Sequence, residues 1–516
     1  MDHIGKVLEL AALQHPARLA LKTTDGLQRS YAELDERTSR LGNALINLGL
    51  VQGDRVAAWS STCPQYLELY LAAAKAGLVL VPINSMFTEH EAQYQLEDSG
   101  AVVMFYSPEK HDQAPKLAHR AELRHSISFG NWHDLDSEYE QLLSTGTAAQ
   151  LPALDENALY VLSYTSGTTG RPKGAMVTHR TMKNTMRVNA HSYRTPQGST
   201  LLYHANMSFV ATVLALLLGH IYVRGTIVML TPVAGPESVV EAIAQEKANF
   251  TFIPSPWIEP MIALATARPE NWHNVRSVVH SASKAPADQL ERWRDAIGHR
   301  YLEGWGMTEG SGSLFTATSA DDATLASDAK DFYASVGRPA LDVVVRVVDE
   351  QGFDVPHDGE SIGELVVSSP TLVVGYWNND EATQKSFRDG WFFSGDLGAI
   401  DDAGYIYIAE RRTDLIISGG MNIYPSELEN CIGTLDGVTE VSVVGMPHER
   451  WGETPVAFIV TAQGATVTEE QVLQHCATYL ARYKRPSEVR FIDELPRNAS
   501  QKVLRRVLRE SAQLTN

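Results

Sequence analysis

The segment Tyr164–Gly174 reads Tyr-Thr-Ser-Gly-Thr-Thr-Gly-Arg-Pro-Lys-Gly and continues the apolar run Leu159–Tyr164, which is typical of a strand. Glycines in such a loop let backbone N–H groups approach an anion closely, and Thr and Ser hydroxyls donate further hydrogen bonds. The spacing differs from the Walker A pattern Gly-x-x-x-x-Gly-Lys-Ser/Thr, because Lys173 stands between Pro172 and Gly174. We therefore expect a phosphate-binding loop of a different kind.

Helices and strands alternate on both sides of this loop. Ser30-Tyr-Ala-Glu is a capping box, and leucines recur after it at helical spacing until Gly49. The predicted strands are continuous apolar runs, which favour parallel sheets covered by helices on both faces. Strands are predicted at residues 55–60, 78–84, 101–106, 225–230 and 250–253. The pattern predicts an α/β fold with two doubly wound sheets in a large N-terminal domain.

The pattern of predicted strands and helices changes twice in the second half of the chain. Between Val336 and Tyr407, short β-rich segments are separated by Gly, Asp and Pro, which predicts a small β subdomain over about 336–410. After Arg411 the pattern indicates a compact α+β unit with a helix over 469–482. We place the domain boundary there, which gives an N-terminal domain of residues 1–411 and a mobile C-terminal domain of residues 412–516.

Composition excludes several classes of function. The 516 residues carry 43 Lys and Arg against 62 Asp and Glu, and a net charge of −19 would repel nucleic acid and anionic lipid. The longest apolar stretch, Phe209–Gly219, is too short to span a bilayer, and the N-terminal residues lack a secretory signal pattern. Cys63, Cys431 and Cys476 are scattered without metal-ligand spacing, which suits a reducing compartment. We expect a cytoplasmic protein.

Four further motifs follow the loop in a fixed order. They are Trp305-Gly-Met-Thr-Glu309, Trp391-Phe-Phe-Ser-Gly-Asp-Leu-Gly398, Arg411 with Ile416–Glu427, and Pro496–Arg506. The set resembles the signature of adenylate-forming enzymes, the superfamily of acyl-CoA synthetases, nonribosomal adenylation domains and luciferases, over nearly the whole chain. The resemblance implies that ATP activates a carboxylic acid as acyl-AMP with release of pyrophosphate.

The resemblance assigns nucleotide contacts to residues from several motifs. The predicted ATP-binding residues are Thr165, Ser166, Gly167, Thr168, Thr169, Gly170, Lys173, Ser283, Lys284, Ala285, Trp305, Gly306, Thr308, Asp396 and Arg411. Glu309 is predicted to bind Mg²⁺, a hard cation that prefers oxygen ligands. Relatives usually carry Tyr where Trp305 stands, so stacking on the adenine is kept and any bond from a phenol hydroxyl is lost. Asp396 either accepts the ribose hydroxyls or only stabilises its own turn.

Lys502 matches the catalytic lysine of the family. A carboxylate that attacks the α-phosphate of ATP brings two anions together, so the reaction requires cations. We expect Lys502 to bridge the carboxylate and α-phosphate oxygens in the transition state. Gln501 replaces the glycine that relatives commonly have before this lysine. The predicted catalytic set is Lys502, Glu309, Thr308 and His204.

The resemblance also implies a second half-reaction, in which CoA takes the acyl group. Ser418, Gly419 and Gly420 are predicted to line the pantetheine tunnel after a rotation of the C-terminal domain. The predicted hinge is Arg412, Thr413 and Asp414, and relatives carry Asp or Lys where Thr413 stands. Basic residues near the end of the chain fit either CoA phosphates or a solvated helix end; they are Arg482, Lys484, Arg485, Arg505 and Arg506.

His204 matches the family's gate residue beside the carboxylate pocket. The other predicted pocket residues are Asn206, Met207, Phe209, Val210, Trp257, Ala282, Gly304, Gly306, Gly310 and Ser311. This lining is apolar, contains several small residues and offers no acid for an α-amino group. It predicts a hydrophobic monocarboxylic acid, either medium-chain aliphatic or aryl. The chain length stays open, because one methylene changes discrimination by only about 1–3 kcal/mol.

Three functions remain as alternatives at this stage. The leading prediction is an ATP-dependent acid:CoA ligase whose partners are a small carboxylic acid, ATP with Mg²⁺, and CoA. The nearest rival performs the same adenylation and loads the acyl group onto a carrier-protein phosphopantetheine. A nucleotide-binding regulator without activity is the third reading. The sequence leaves the oligomeric state open, with a homodimer as one option.

Overall fold

The structure is a computed structural model of the chain. It describes residues 3–151, 153–165, 172–230, 235–254, 257–281, 287–318, 332–411, 416–423, 425–462, 464–496, 503 and 505–513. By its internal contacts the chain divides into two compact units. The first comprises Met1–Ser85, Leu96–Tyr164 and Gly174–Glu410, and the second comprises Met86–Gln95, Thr165–Lys173 and Arg411–Asn516.

The helices lie between the strands along most of the chain. They are α1 (Gly5–Gln14), α2 (Tyr31–Asn47), α3 (Pro64–Ala76), α4 (Glu89–Ser99), α5 (Ala114–Arg120), α6 (Glu138–Thr145), α7 (His179–Ser192), α8 (Val210–Thr212), α9 (Leu218–Tyr222), α10 (Pro236–Gln245), α11 (Ile258–Ala267), α12 (Ala287–Ile297), α13 (Asp380–Ser386), α14 (Pro425–Gly433), α15 (Glu469–Tyr479) and α16 (Arg505–Gln513). A π-helical turn, Val213–Leu217, joins α8 to α9.

The strands are short, as expected for twisted sheets of this size. They are β1 (Leu19–Thr23), β2 (Gln28–Ser30), β3 (Arg55–Trp59), β4 (Val79–Ile83), β5 (Val103–Tyr106), β6 (His125–Ser128), β7 (Leu159–Thr165), β8 (Lys173–Thr178), β9 (Thr200–Tyr203), β10 (Thr226–Met229), β11 (Phe250–Phe252), β12 (Ser277–His280), β13 (Tyr301–Glu303), β14 (Thr316–Ala317), β15 (Arg338–Pro339), β16 (Val344–Val348), β17 (Gly363–Ser368), β18 (Phe387–Arg388), β19 (Trp391–Ile400), β20 (Ile406–Arg411), β21 (Ile416–Ser418), β22 (Met421–Ile423), β23 (Val438–His448), β24 (Gly452–Thr461) and β25 (Glu488–Phe491).

Two largely parallel sheets form the framework of the first unit. One has the strand order β13-β12-β11-β9-β10-β1-β2, and the other has the order β6-β5-β3-β4-β7-β8. Only the β1–β2 pair of the first sheet is antiparallel. Strands β4 and β5 are buried along their whole length, because helices cover both faces. The predicted α/β fold with two doubly wound sheets is confirmed.

Two smaller sheets contain the short β-rich segments of the C-terminal half. Strands β16, β17, β19 and β18 follow one another in an antiparallel sheet, and β20 pairs with β19. In the second unit, β22, β21, β24 and β23 form a sheet to which β25 adds in parallel, and α14 and α15 pack beside it. The division into domains of residues 1–411 and 412–516 stays a prediction.

The sequence correctly predicts where α2 begins but places the end of α15 too late. The Ser30 side chain caps α2 by accepting from Glu33 N, and the Glu33 carboxylate accepts from Ser30 N at 2.7 Å. The helix predicted over 469–482 ends earlier, at Tyr479, because Leu480 adopts extended backbone angles. Among the described helices, none is both long and apolar enough to cross a membrane.

Candidate functional site

The loop predicted to bind phosphate joins β7 to β8. Thr165 is the last residue of β7 and Lys173 is the first of β8, whereas Ser166–Gly170 lie outside the described residues. The Tyr164 hydroxyl donates to Asp98 Oδ2 at 2.6 Å, and the Gly174 carbonyl accepts from Trp377 N at 2.8 Å. Both strand ends that flank the loop are therefore held by hydrogen bonds.

Trp305 and Asp396 come from two different predicted motifs and meet in the structure. The Trp305 indole Nε1–H donates to Asp396 Oδ2 at 2.9 Å, and the two residues are only 5% and 2% exposed. Phe315 packs edge-to-face on the Trp305 ring, with the centroids 5.2 Å apart. The indole N–H is thus a donor to this carboxylate. The contact fixes Asp396 in place, although little of the Trp305 ring face is exposed.

The turn around Asp396 is built by its own neighbours. The Ser394 hydroxyl accepts from Asp396 N at 3.1 Å and donates to the Leu365 carbonyl at 2.6 Å. Gly395 has a φ of +75°, a backbone conformation that favours glycine. These bonds hold the turn through backbone groups and the Ser394 hydroxyl, and the choice between ribose binding and turn stabilisation for Asp396 stays open.

Glu309 lies in a short 3₁₀ turn, Thr308–Gly310, a few residues after β13. Its Oε1 accepts from the Tyr376 hydroxyl at 2.7 Å, and its backbone carbonyl accepts from Val373 N at 2.8 Å. The described residues include no group of three or more side chains able to hold a metal. A carboxylate oriented by one neutral donor fits Mg²⁺, which proteins usually hold through one or two carboxylates, with phosphate oxygens and water completing the shell.

His204 follows β9 at the carboxyl end of a parallel sheet, where ligands commonly bind. Its Nε2–H donates to the Phe252 carbonyl at 2.7 Å, and its ring stacks on Trp257 with the centroids 5.3 Å apart. Burial lowers the pKa of His204 to about 4, although the hydrogen bond to Phe252 opposes this shift. His204 is therefore a neutral imidazole at physiological pH.

The predicted pocket residues after His204 form a turn that is bonded to the scaffold. Asn206 Nδ2 donates to Ser85 Oγ at 2.7 Å, and Asn206 Oδ1 accepts from Ser208 N at 2.9 Å. Met207 is buried, and its N–H donates to Thr62 Oγ1. Phe209 is half-buried and precedes α8 and the π-helical turn. These bonds fix the direction of the chain as it leaves His204.

The predicted pocket glycines are required by close packing of the backbone. A Cβ on Gly304 would lie 2.4 Å from the Thr316 carbonyl oxygen, and one on Gly306 would lie 2.5 Å from the Ser313 carbonyl oxygen. A Cβ on Gly310 would lie 2.7 Å from the Phe315 ring. Because these glycines have no side chain, the 313–316 segment can pack closely against them. Their role in an acyl pocket stays a prediction.

Several predicted site residues lie outside the described part of the chain. They are Ala282, Ser283, Lys284 and Ala285, the hinge residues Arg412, Thr413 and Asp414, and Lys502. Arg411 ends β20. The roles assigned to these residues stay predictions.

The predicted CoA-tunnel residues form a tight hairpin in the second unit. Ser418 ends β21, Met421 begins β22, and Gly419 and Gly420 have φ angles of +57° and +78°. Two consecutive positive φ values are typical of a type I′ turn. The Gly419 N–H donates to the Trp451 carbonyl at 2.7 Å, and the Trp451 side chain is 41% exposed. An exposed aromatic face thus lies beside the hairpin, at a position that sequence reasoning missed.

Lys484 corrects the expectation for the basic residues near the C-terminus. It is 3% exposed, and its Nζ donates to Glu91 Oε1 at 2.8 Å and to Glu427 Oε1 at 2.7 Å. Although burial opposes the charged form, the Glu427 carboxylate raises the pKa of Lys484. Neither a CoA-phosphate contact nor a solvated helix end describes this residue. Arg505 likewise pairs with Glu429 at 2.7 Å.

Comparisons with known proteins give a consistent result. A family model described as AMP-binding enzyme matches residues 8–377, and one described as AMP-binding enzyme C-terminal domain matches residues 427–502. Feruloyl-CoA synthase from Amycolatopsis sp is 35% identical over 93% of each chain. The long-chain-fatty-acid–CoA ligase FadD13 from Mycobacterium tuberculosis is 33% identical over 100% of this chain and 99% of its own. The ATP-bound structure of MatB from Rhodopseudomonas palustris aligns over 99% of each chain, with a TM-score of 0.73 and 31% identity.

Proposed function

The chain belongs to the family of AMP-binding enzymes, and on that premise we propose that it is an AMP-forming acid:CoA ligase for a hydrophobic monocarboxylic acid. In the first half-reaction a carboxylate oxygen attacks the α-phosphorus of ATP, which gives acyl-AMP and pyrophosphate. In the second, the CoA thiol attacks the acyl-AMP carbonyl and AMP leaves.

The single observation that carries this proposal is the bond between the Trp305 indole and the Asp396 carboxylate. It joins two motifs that are far apart in sequence, and Glu309 follows Trp305 in the same segment. A ribose-binding carboxylate and a metal-binding carboxylate are thereby attached to one rigid stretch of chain after β13. Such preorganised groups stabilise developing charge without reorganising during the reaction.

We assign the steps of adenylation to individual residues of this chain. Asp396 accepts hydrogen bonds from the ribose hydroxyls, and Thr308 donates to phosphate. Mg²⁺ held by Glu309 would supply neutralisation of the phosphate charge when bound. The neutral imidazole of His204 borders the acid without adding a charge that would hold the carboxylate in place. Lys502 bridges the attacking carboxylate and the α-phosphate oxygens, a task that suits a compact cation on a flexible stem.

We assign thioester formation to the second unit. The Trp451 ring packs against Gly419, where a Cβ would lie 2.9 Å from the ring, and the part of Trp451 that stays exposed is proposed to contact CoA beside the hairpin. The thiol must reach the carbonyl that Lys502 approaches in the first step. We therefore propose that residues 412–516 rotate between the two steps, with Arg412, Thr413 and Asp414 as the pivot.

The substrate class follows from the described surroundings of His204. Trp257, Met207 and Phe209 are apolar, and the Asn206 amide is bonded to Ser85 and Ser208. Two of the similar proteins are named for an aryl acid and for long-chain fatty acids, which are monocarboxylic acids, and others are named for 2-succinylbenzoate, an aryl dicarboxylate. An aliphatic or aryl acid with one carboxylate is the proposed substrate.

The test is a stoichiometric assay of the full chain with MgATP and a panel of aliphatic, aryl and amino acids. We expect AMP and pyrophosphate to appear with hydrophobic monocarboxylic acids, and one acyl-CoA to form for each AMP when CoA is present. Acyl transfer to a phosphopantetheinylated carrier protein but not to free CoA would replace the ligase assignment. Failure to split ATP into AMP and pyrophosphate with every acid would reject it.

A further inference from the structure

Two of the three cysteines, Cys431 and Cys476, meet in the second unit although they are far apart in sequence. Cys431 lies on α14 and Cys476 on α15, and these helices pack against each other. Both residues are reduced, and each thiol affects the pKa of the other. Cys476 belongs to the buried core of this unit, and the partly buried Cys431 packs against it.

The helices that carry the two thiols are held at this contact by a second set of bonds. His475 Nε2 lies 3.0 Å from the Cys431 carbonyl oxygen and 2.9 Å from Thr434 Oγ1. Arg485 donates from Nε to the Leu480 carbonyl and from Nη2 to the Ala477 carbonyl, which places a guanidinium at the end of α15. The packing of the two helices therefore holds the two cysteines beside each other.

The surroundings of the two thiols affect their pKa values and their accessibility differently. The Cys431 thiol and the charge of Arg485 lower the pKa of Cys476, against the effect of burial, whereas the Cys476 thiol and burial raise the pKa of Cys431. The thiolate is the reactive form of cysteine, and nearby cations favour it. Cys431 is accessible to a small reagent because it is only partly buried.

Cys63 provides a contrast within the same chain. It precedes α3 and is buried, and its Sγ lies 3.9 Å from Ser60 Oγ. Burial raises the pKa of Cys63 to about 12. This thiol lacks the conditions for reaction at neutral pH and serves as an internal control.

We propose that Cys431 and Cys476 form a dithiol site that a two-electron oxidant, such as hydrogen peroxide, converts into an intramolecular disulfide. One thiolate sulfur attacks a peroxide oxygen, the O–O bond breaks, and a sulfenic acid and water result. The second sulfur then attacks the sulfenic sulfur, the S–S bond forms, and a second water leaves. Two thiols and one peroxide thus give one disulfide and two waters.

The disulfide has a structural consequence for the second unit. It ties α14 to α15 and closes a loop of chain that contains β23 and β24. A cross-link of this kind restricts the unfolded chain and so stabilises the folded state. Oxidation is therefore expected to raise the melting temperature of the second unit.

The experiment uses the reduced full-length protein and hydrogen peroxide as the probe. Intact mass should fall by two hydrogen atoms, non-reducing peptide mapping should link Cys431 to Cys476, and dithiothreitol should reverse both changes. Cys63 should remain alkylatable after unfolding and should oxidise at least ~10-fold more slowly than the pair. Added oxygen atoms without a linked peptide, a bond to Cys63, or cross-linked dimers would each overturn the proposal.

Two variants separate the disulfide from general oxidation. Cys431→Ser and Cys476→Ser should each lose the linked peptide and the rise in melting temperature on peroxide treatment, while Cys63→Ser should keep both. A rise in melting temperature that persists in Cys431→Ser would assign the stabilisation to another oxidised residue. The mass measurement on the unsubstituted protein decides the question even if a variant folds poorly.

Discussion

The two carboxylates of the candidate site in the first unit and Glu427 in the second unit are held in place by different kinds of donor. In the first unit, Glu309 accepts from the Tyr376 hydroxyl and Asp396 accepts from the Trp305 indole, and both donors are neutral. In the second unit, Glu427 accepts from the buried ammonium of Lys484. A neutral donor orients a carboxylate and leaves its charge, whereas a buried cation neutralises it. The difference distinguishes the two carboxylates proposed to bind ligands from Glu427, which stabilises the fold.

Removing the buried cation should have the largest effect on stability. Lys484→Met leaves Glu91 and Glu427 facing each other in a buried setting, so we expect the free energy of unfolding to fall by about 3–5 kcal/mol. Urea unfolding of the full chain, with hydrogen exchange of α14 and α15 as a local readout, measures the loss. The matched control is Lys183→Met, because Lys183 pairs with Glu156 at 2.7 Å but is 32% exposed.

The control variant, Lys183→Met, should lose less than about 1 kcal/mol of unfolding free energy, because exposed ion pairs contribute little to stability. Equal losses in Lys484→Met and Lys183→Met would contradict the structural role of the buried cluster.

Removing the negative charge of the Glu309 side chain should slow catalysis without destabilising the fold. Glu309→Gln can still accept from Tyr376, yet it loses the negative charge proposed to hold Mg²⁺. We expect the rate of ATP–pyrophosphate exchange to fall by about 10²–10³-fold, with a higher Mg²⁺ requirement. The control variant is Glu259→Gln, at an exposed residue that forms an ion pair with Arg292. It should behave like the unsubstituted enzyme. An unchanged Mg²⁺ dependence in Glu309→Gln would remove Glu309 from the metal site.

Replacing the neutral donor should give a smaller effect in the same assay. Trp305→Phe removes the indole N–H that orients Asp396, which corresponds to about 1 kcal/mol and a several-fold rise in KM for ATP. Trp305→Tyr restores a donor group and should recover part of the loss. If Phe and Tyr are equally impaired, ring size and not the hydrogen bond explains the effect.

A pH-dependent effect on stability is predicted for the neutral imidazole of His204. Its pKa is lowered from 6.5 to about 4, so the unfolded chain binds more protons than the folded chain between these values. The stability that depends on neutral His204 is therefore complete above pH 6.5 and is lost as the pH falls towards 4. Because burial also lowers the pKa values of His179, His220 and His280, His204→Gln should reduce but not abolish the fall in melting temperature across this window. An identical acid slope in the variant would show that His204 does not titrate there.

Local sequence signals determined the framework of the molecule well. Continuous apolar runs such as residues 78–84 correctly predicted buried parallel strands, and Ser30 with Glu33 correctly predicted the start of α2. These features depend on residues that are neighbours in sequence. The order of the motifs predicted the candidate site, and the bond from Trp305 to Asp396 brings two of them together.

The parts that sequence reasoning missed depend on contacts between distant residues. Tyr376 has no motif of its own, and only the fold places its hydroxyl on Glu309. Lys484 stands among other basic residues, which is the pattern of a solvated surface, yet Glu91 and Glu427 converge on it. Cys431 and Cys476 share no recognisable spacing, because two separate helices bring them together.

The π-helical turn Val213–Leu217 has a consequence for how this family member can change. A π turn contains one residue more than the α-helical turn that would replace it, and its residues are buried here. The wider turn absorbs the extra residue, so the residues before it and α9 after it face as they would in a regular helix one residue shorter. Deleting a single codon from this stretch should therefore restore regular winding while Phe209 and α9 keep their orientation. The π turn marks a place where the length of the chain can change by one residue without turning the residues on either side.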